Sequence, residues 1–190
     1  EKVYRQEDKN FIDLLNNVRN NEIKERDIIT LNKFVQPDFK LLDHNDCIIL
    51  TTHNSDADRI NQDALDHLEV KSVLFHSEVT GSFPKNLFPL DQTLELKIGA
   101  QVIFIKNDLS RDKNFYNGKM GKVVGLDRDE ILVNFPKEKK TISVYRYEWN
   151  NIQYRLNPST GEVEEKTLGT FVHFPLKLAW AITIHKSQGL

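Results

Sequence analysis

The stretch CIILTTHNSDADRINQDALDHL, residues 47–68, decides the fold class. It opens with a continuous apolar run over 47–50, the pattern of a short strand covered on both faces in an α/β sheet. Thr51, Thr52 and His53 then turn the chain into a helix. Asn54 or Ser55 can cap that helix, and Asp56 and Asp58 load its first turn, where free N–H groups and the helix dipole favour acids. Ala57, Ile60, Ala64, Leu65 and Leu68 recur at the spacing of one buried stripe. Strand, turn and helix in this order make one unit of an α/β sheet.

Toward the N-terminus, Phe11, Leu14, Leu15 and Val18 share one helical face behind Glu7 and Asp8, and a second helix is expected over 27–35, with Asp27 as cap and Pro37 as stop. Beyond Glu69 the texture changes. A connector, GSFPKNLFPLD, leads into five short strands expected over 94–98, 101–106, 122–125, 131–135 and 141–149. Their separators, Lys97-Ile98-Gly99, Asn117-Gly118 and 127–130, carry turn residues. Five strands within about sixty residues suggest a small closed barrel inserted into the α/β frame. A hairpin over 152–174 follows, turning at 157–162. In PLKLAWAITIHKSQG, Pro175 suits a first helical turn and Gly189 a helix end, so a helix is expected, although the alternation of Ile182 and Ile184 leaves a strand open.

Composition excludes several classes. With 39% hydrophobic and 28% charged residues among 190, the chain can bury a core and is not disordered. Lys plus Arg number 26 against 28 for Asp plus Glu, so the net charge of −2 makes any nucleic-acid contact a local matter. The lone Cys47 excludes a disulfide within the chain and suits a buried residue in a reducing compartment. No apolar stretch approaches the roughly 20 residues of a membrane span, and EKVYRQEDKN has no signal-peptide pattern, so a cytoplasmic protein is expected.

Most chemical motifs fail on inspection. Gly118-Lys119-Met120 and Gly121-Lys122-Val123 lack the hydroxyl residue and the setting of a phosphate loop. Asp129-Glu130 precedes a strand and reads as a turn. His67-Leu68-Glu69 has a deaminase spacing, but one cysteine cannot complete a zinc site. Asp43, His44 and Asp46 read as a solvated loop, and no metal site is expected. Two constellations remain. Thr51, Thr52, His53 and Asn54 stand where a helix N-terminus can take a phosphate, although capping explains Asn54 and Thr51 equally well. In TIHKSQG, Thr183, His185, Lys186 and Ser187 cluster beside Gly189, a set able to hold a phosphodiester or a nucleotide phosphate.

These residues carry a resemblance. PLKLAWAITIHKSQGL resembles motif V of the superfamily 1B helicases, the PIF/RecD-like branch. VYRQEDKNFIDLLNNVR is similar to their motif IV region, and LELKIGAQVIFIKND followed by YNGKMGKVV to the start of the SH3-like barrel, domain 2B, inserted in their second motor domain, 2A. The resemblance implies a partial RecA-like α/β domain over 1–93, the barrel over 94–150, a hairpin return over 151–174 and the motif V segment over 175–190, with the sequence stopping inside that motif. It implies an ATP-dependent DNA helicase moving 5′ to 3′, using ATP and Mg²⁺ in the whole protein. Arg5 would reach the γ-phosphate, and Gln188 and Gly189 would lie nearest the nucleotide. Thr183, His185 and Lys186 would contact single-stranded DNA, while Trp180 and Ala181 would be core; from their own chemistry, Thr51, Thr52, His53, Asn54 and Ser187 are expected to join the DNA contacts. The first motor domain, with its phosphate loop and acidic pair, would be the partner of a monomeric piece that hydrolyses no ATP alone. The rival reading is a non-enzymatic adaptor whose barrel binds a peptide or a subunit.

Overall fold

The computed structural model describes residues 8–39, 47–156 and 161–187, without the side chains of Lys186 and Ser187. Two compact units divide the chain, 1–40 and 41–190.

The first unit is a pair of helices, α1 (Lys9–Arg19) and α2 (Glu25–Asn32). Asp8 caps α1 instead of lying in its first turn: its carboxylate accepts from the backbone N–H groups of Asn10 at 2.9 Å and Phe11 at 3.2 Å. Of the expected apolar face only Leu14 is buried, whereas Leu15 and Val18 are exposed. Asp27 is not the cap of α2, which begins two residues earlier. Its carboxylate instead accepts from the Lys24 N–H and from Asn17 Nδ2, each at 3.0 Å, and so ties the two helices together. The Lys24 bond is the chief reason that the Asp27 pKa lies below its ordinary value.

The second unit begins with β1 (Ile49–Thr51) and α3 (Asn54–Asp66), the strand-turn-helix that the sequence announces. His53 holds the N-cap position without a side-chain capping bond, so neither Asn54 nor Ser55 is the cap. The buried side of α3 is Ala57, Asn61, Ala64 and Leu65. There follow β2 (Val73–His76), β3 (Glu78–Gly81), β4 (Thr93–Leu96), β5 (Gln101–Phe104), β6 (Met120–Leu126), β7 (Ile131–Phe135), β8 (Lys140–Val144), β9 (Tyr147–Leu156), β10 (Val163–His173), β11 (Leu176–Leu178), β12 (Ala181–Thr183) and a short α4 (Ile184–Ser187).

Among the described residues the strands form four sheets: antiparallel β11-β5-β6-β7-β8, antiparallel β3-β10-β9, the pair β2-β4 and the parallel pair β1-β12. The five-stranded sheet differs in membership from the expected barrel. The strand expected at 94–98 pairs with β2, Val73 opposite Leu96, and stays outside that sheet. The strand expected at 141–149 breaks after Val144, and β9 leaves to pair with β10. Its fifth member is β11, from the segment expected as helix. Among the described residues no ladder joins β8 to β11, so the sheet does not close.

The last segment is extended because its residues are needed by ladders on two sides. Leu176, Ala179, Trp180 and Ala181 are all buried, a density that one helical face would not supply. Gln101 holds the crossing in place: its Nε2 donates to the carbonyls of Cys47 at 3.0 Å and Ala179 at 2.8 Å, while its own carbonyl accepts from Ala179 N at 2.9 Å. One apolar core unites these pieces, with Leu65, Leu96, Val102, Phe104, Val123, Ile131, Val133, Phe174 and Leu176 fully buried. Each such side chain contributes about 1.5–3 kcal/mol. Ile131, Val133 and Phe135 point inward at the period-two spacing of a strand with one covered face. No helix among the described residues is long and apolar enough to cross a membrane.

A candidate nucleic-acid-binding crest

The two constellations, some 130 positions apart in sequence, meet through one ladder. β1 and β12 run parallel with Thr51 opposite Thr183, so the turn into α3 and the turn into α4 leave from the same, carboxyl-terminal edge. In open α/β sheets that edge is where ligands bind. Thr51 Oγ1 donates to the His53 carbonyl at 3.0 Å, and the Ile182 carbonyl lies 3.4 Å from it. Thr52 Oγ1 stands 2.8 Å from His53 Nδ1. Thr52, His53, Asn54 and His185 are exposed, Thr51 is half-buried and Thr183 is buried. Thr183 therefore sits beneath the crest and the others on it. Lys186 and Ser187 belong to α4 by their backbone. Arg5, Gln188 and Gly189 lie outside the described residues, as do Asp43, His44 and Asp46.

What fixes the crest is a residue that no sequence motif singles out. Asn61 sits in the buried stripe of α3, where its Nδ2 donates to the Ala181 carbonyl and its Oδ1 accepts from the Ala181 N–H, both at 2.9 Å. This reciprocal pair satisfies both main-chain groups of Ala181 on the side that β1 leaves open. A signal was nonetheless legible: an amide four residues after Ala57 and four before Leu65, in an otherwise apolar row. Trp180 and Ala181 are core, as expected.

Below the crest lies a cleft of about 570 Å³ whose lining includes Asn54, Asn61, Thr183, Glu95, Leu176 and His173. His173 is fully buried, and neither ring nitrogen has a hydrogen-bond partner among the described residues. Burial, reinforced by the charges of Arg146 and His76, lowers its pKa to about 4, so the ring is neutral at physiological pH.

Glu130 accepts from the Tyr145 hydroxyl at 2.8 Å, and hydrogen bonds from Ser143 and Tyr145 hold its pKa below the ordinary value, as befits a carboxylate of the β6–β7 turn. His67 is the C-cap of α3. Among the described residues no group of three or more His, Cys, Asp or Glu could hold a metal ion.

No family model matches the chain. It is 32% identical over 203 residues to the ATP-dependent DNA helicase Pif1 of Campylobacter jejuni, covering 95% of this chain and 42% of that protein. It is 32% identical over 198 residues to human ATP-dependent DNA helicase PIF1, covering 100% of this chain and 28% of that one. Among solved structures, Pif1 from Bacteroides sp in complex with ADP-AlF4 superposes with a TM-score of 0.82 at 36% identity, over 100% of this chain and 42% of that chain. Bacteroides Pif1 bound to single-stranded DNA gives a TM-score of 0.74 at 37% identity, with the same two shares. The chain thus spans about two fifths of the Campylobacter and Bacteroides proteins. Both the sequence likeness and the shared fold run through the crest and through all four sheets, and the chain belongs to the Pif1-like superfamily 1B helicase family.

Proposed function

We propose that this chain is the part of an ATP-dependent, 5′-to-3′ DNA helicase that grips the backbone of single-stranded DNA at the β1–β12 crest. The register Thr51 opposite Thr183 carries the reading, because it turns two separate runs of polar residues into one surface. Thr52, His53 and Asn54 offer a hydroxyl, a ring and an amide beside the first N–H groups of α3, a donor set suited to phosphodiester oxygens. His185, Lys186 and Ser187 are proposed to extend that set from the second strand, with buried Thr183 beneath them. That Bacteroides Pif1 is known bound to single-stranded DNA supports the assignment.

Arg5, Gln188 and Gly189 are the proposed nucleotide-facing positions, and the first motor domain is the proposed partner of a monomeric chain. ATP and Mg²⁺ are the cofactors proposed for the whole protein. The five-stranded sheet is the proposed counterpart of the SH3-like barrel, domain 2B. An adaptor built around that sheet would need neither the crest nor its family-wide likeness, and is not favoured.

The test is Lys186→Ala, assayed on a dT oligomer across a salt series. Affinity for the strand should fall, and the slope of log affinity against log salt should shrink by about 0.7. If Lys186→Ala and Asn54→Ala both bind the strand as the unmodified chain does, the adaptor reading moves ahead.

A further inference from the structure

The five-stranded sheet carries a charge concentration that the composition conceals. Loop 105–119 and the β7–β8 turn at 136–140 together hold seven Lys or Arg and three acids, in a chain whose net charge is −2. Two of the three acids are already engaged. Asp108 folds its own loop, its carboxylate accepting from the N–H groups of Ser110 at 2.8 Å and Asn114 at 2.7 Å. Glu138 pairs with the buried Lys119 at 2.9 Å. That pair, and the 2.7 Å bond from Lys140 Nζ to Asn114 Oδ1, bring loop and turn into one surface. Arg111, Lys113, Lys137, Lys139 and Lys140 are all exposed on it, with Asp112 as the one remaining acid.

The backbone adds a second observation. Lys113 at φ 45° and Lys139 at φ 51°, one in each segment, occupy the left-handed region. That conformation costs an ordinary side chain about 1–2 kcal/mol, and Gly or Asn would fill it with less strain. The sequence instead keeps a cation at both places, which the fold does not require.

None of these cations belongs to the crest. Loop 105–119 leaves β5 after Phe104, at the end away from the Gln101 bonds to Cys47 and Ala179. We infer that the surface formed by loop 105–119 and the 136–140 turn binds the phosphate backbone of double-stranded DNA, as a site separate from the crest. Sequence-independent duplex binding needs clustered cations and little else, while stacking of unpaired bases needs a run of exposed rings. Tyr116 is the one aromatic side chain that is largely exposed here. Only the choice of nucleic acid as the polyanion rests on the helicase reading.

The full chain is titrated with a duplex oligonucleotide, with a dT oligomer of equal length and with phosphatidylserine vesicles. The variant combines Arg111→Gln, Lys113→Asn and Lys139→Asn. Duplex affinity should fall at least about ten-fold at low salt, with the salt slope shrinking by about 0.9 for each phosphate that is no longer neutralised. Binding of the dT oligomer should change far less. The melting temperature should hold or rise, because Asn suits the left-handed turns, so weaker binding cannot be put down to a failure to fold. The inference is overturned if duplex affinity and slope stay as they were, if affinity for the dT oligomer falls as much, or if vesicles are bound in preference. Single-strand binding that depends on Lys186, with no duplex binding, would end this inference and leave the crest standing. Duplex binding abolished in this variant, with single-strand binding indifferent to Lys186, would do the reverse.

Discussion

At the scale of single residues, His173 sets how the fold meets acid. Its pKa is lowered from the ordinary 6.5 to about 4, first by burial and then by Arg146 and His76. On acidification the unfolded ring takes its proton near 6.5, but the folded ring resists until about 4. Stability contributed by this group is therefore whole above pH 6.5 and is lost as pH falls toward 4. At about pH 5 the loss should be roughly 2 kcal/mol. His173→Phe, which suits a site between Phe171 and Phe174, should flatten that part of the melting-temperature profile. An unchanged profile would place the titration elsewhere. Asn61 makes the opposite demand, since both its amide atoms are used. Asn61→Ala strands the N–H and C=O of Ala181 and should cost about 2–3 kcal/mol by chemical denaturation. The same change should weaken single-strand binding through loss of the Thr51–Thr183 register.

At the scale of elements, close backbone approach matters most where β10 meets β3. A Cβ on Gly169 would stand 2.6 Å from both the Ser82 carbonyl carbon and the Thr80 carbonyl oxygen, which are main-chain atoms that cannot swing away. Gly169→Ala should therefore destabilise by about 1–3 kcal/mol, read from the shift in denaturation midpoint, and should open the β3–β10 ladder in hydrogen exchange. The strand-turn-helix at 47–68 was legible because its apolar run, turn and stripe are all local features. The fate of 93–96 and 176–183 was not. Leu94 and Leu96 alternate like any strand, and only the partner distinguishes a pair with β2 from a place in the five-stranded sheet. Pro175 and the dense apolar residues after it satisfy a helix equally well until β5 and β1 are present to claim them. The crest was half legible for the same reason: each run of polar residues shows in the sequence, but their meeting is a property of strand pairing.

At the scale of the whole molecule, the two sets of proposed contacts should fail separately. The described residues supply no phosphate loop and no metal cluster, so the purified chain should hydrolyse no ATP above background, and Mg²⁺-dependent turnover would contradict the assignment. In the complete protein, Arg5→Ala should depress DNA-stimulated ATP turnover by about 10³-fold or more, the loss expected when a guanidinium stops stabilising charge on the transferred phosphoryl group. Nucleotide-free affinity for single-stranded DNA should stay within about two-fold of wild type, because the proposed partner of Arg5 is the γ-phosphate and not the strand. Lys186→Ala should show the converse: weaker strand binding, a smaller salt slope, and an ATP turnover that recovers when the DNA concentration is raised to saturate the crest. A turnover defect in Lys186→Ala that saturating DNA does not repair would show that motif V couples to the nucleotide through Lys186 itself. The division between a DNA face and an ATP face would then have to be redrawn within those seven residues.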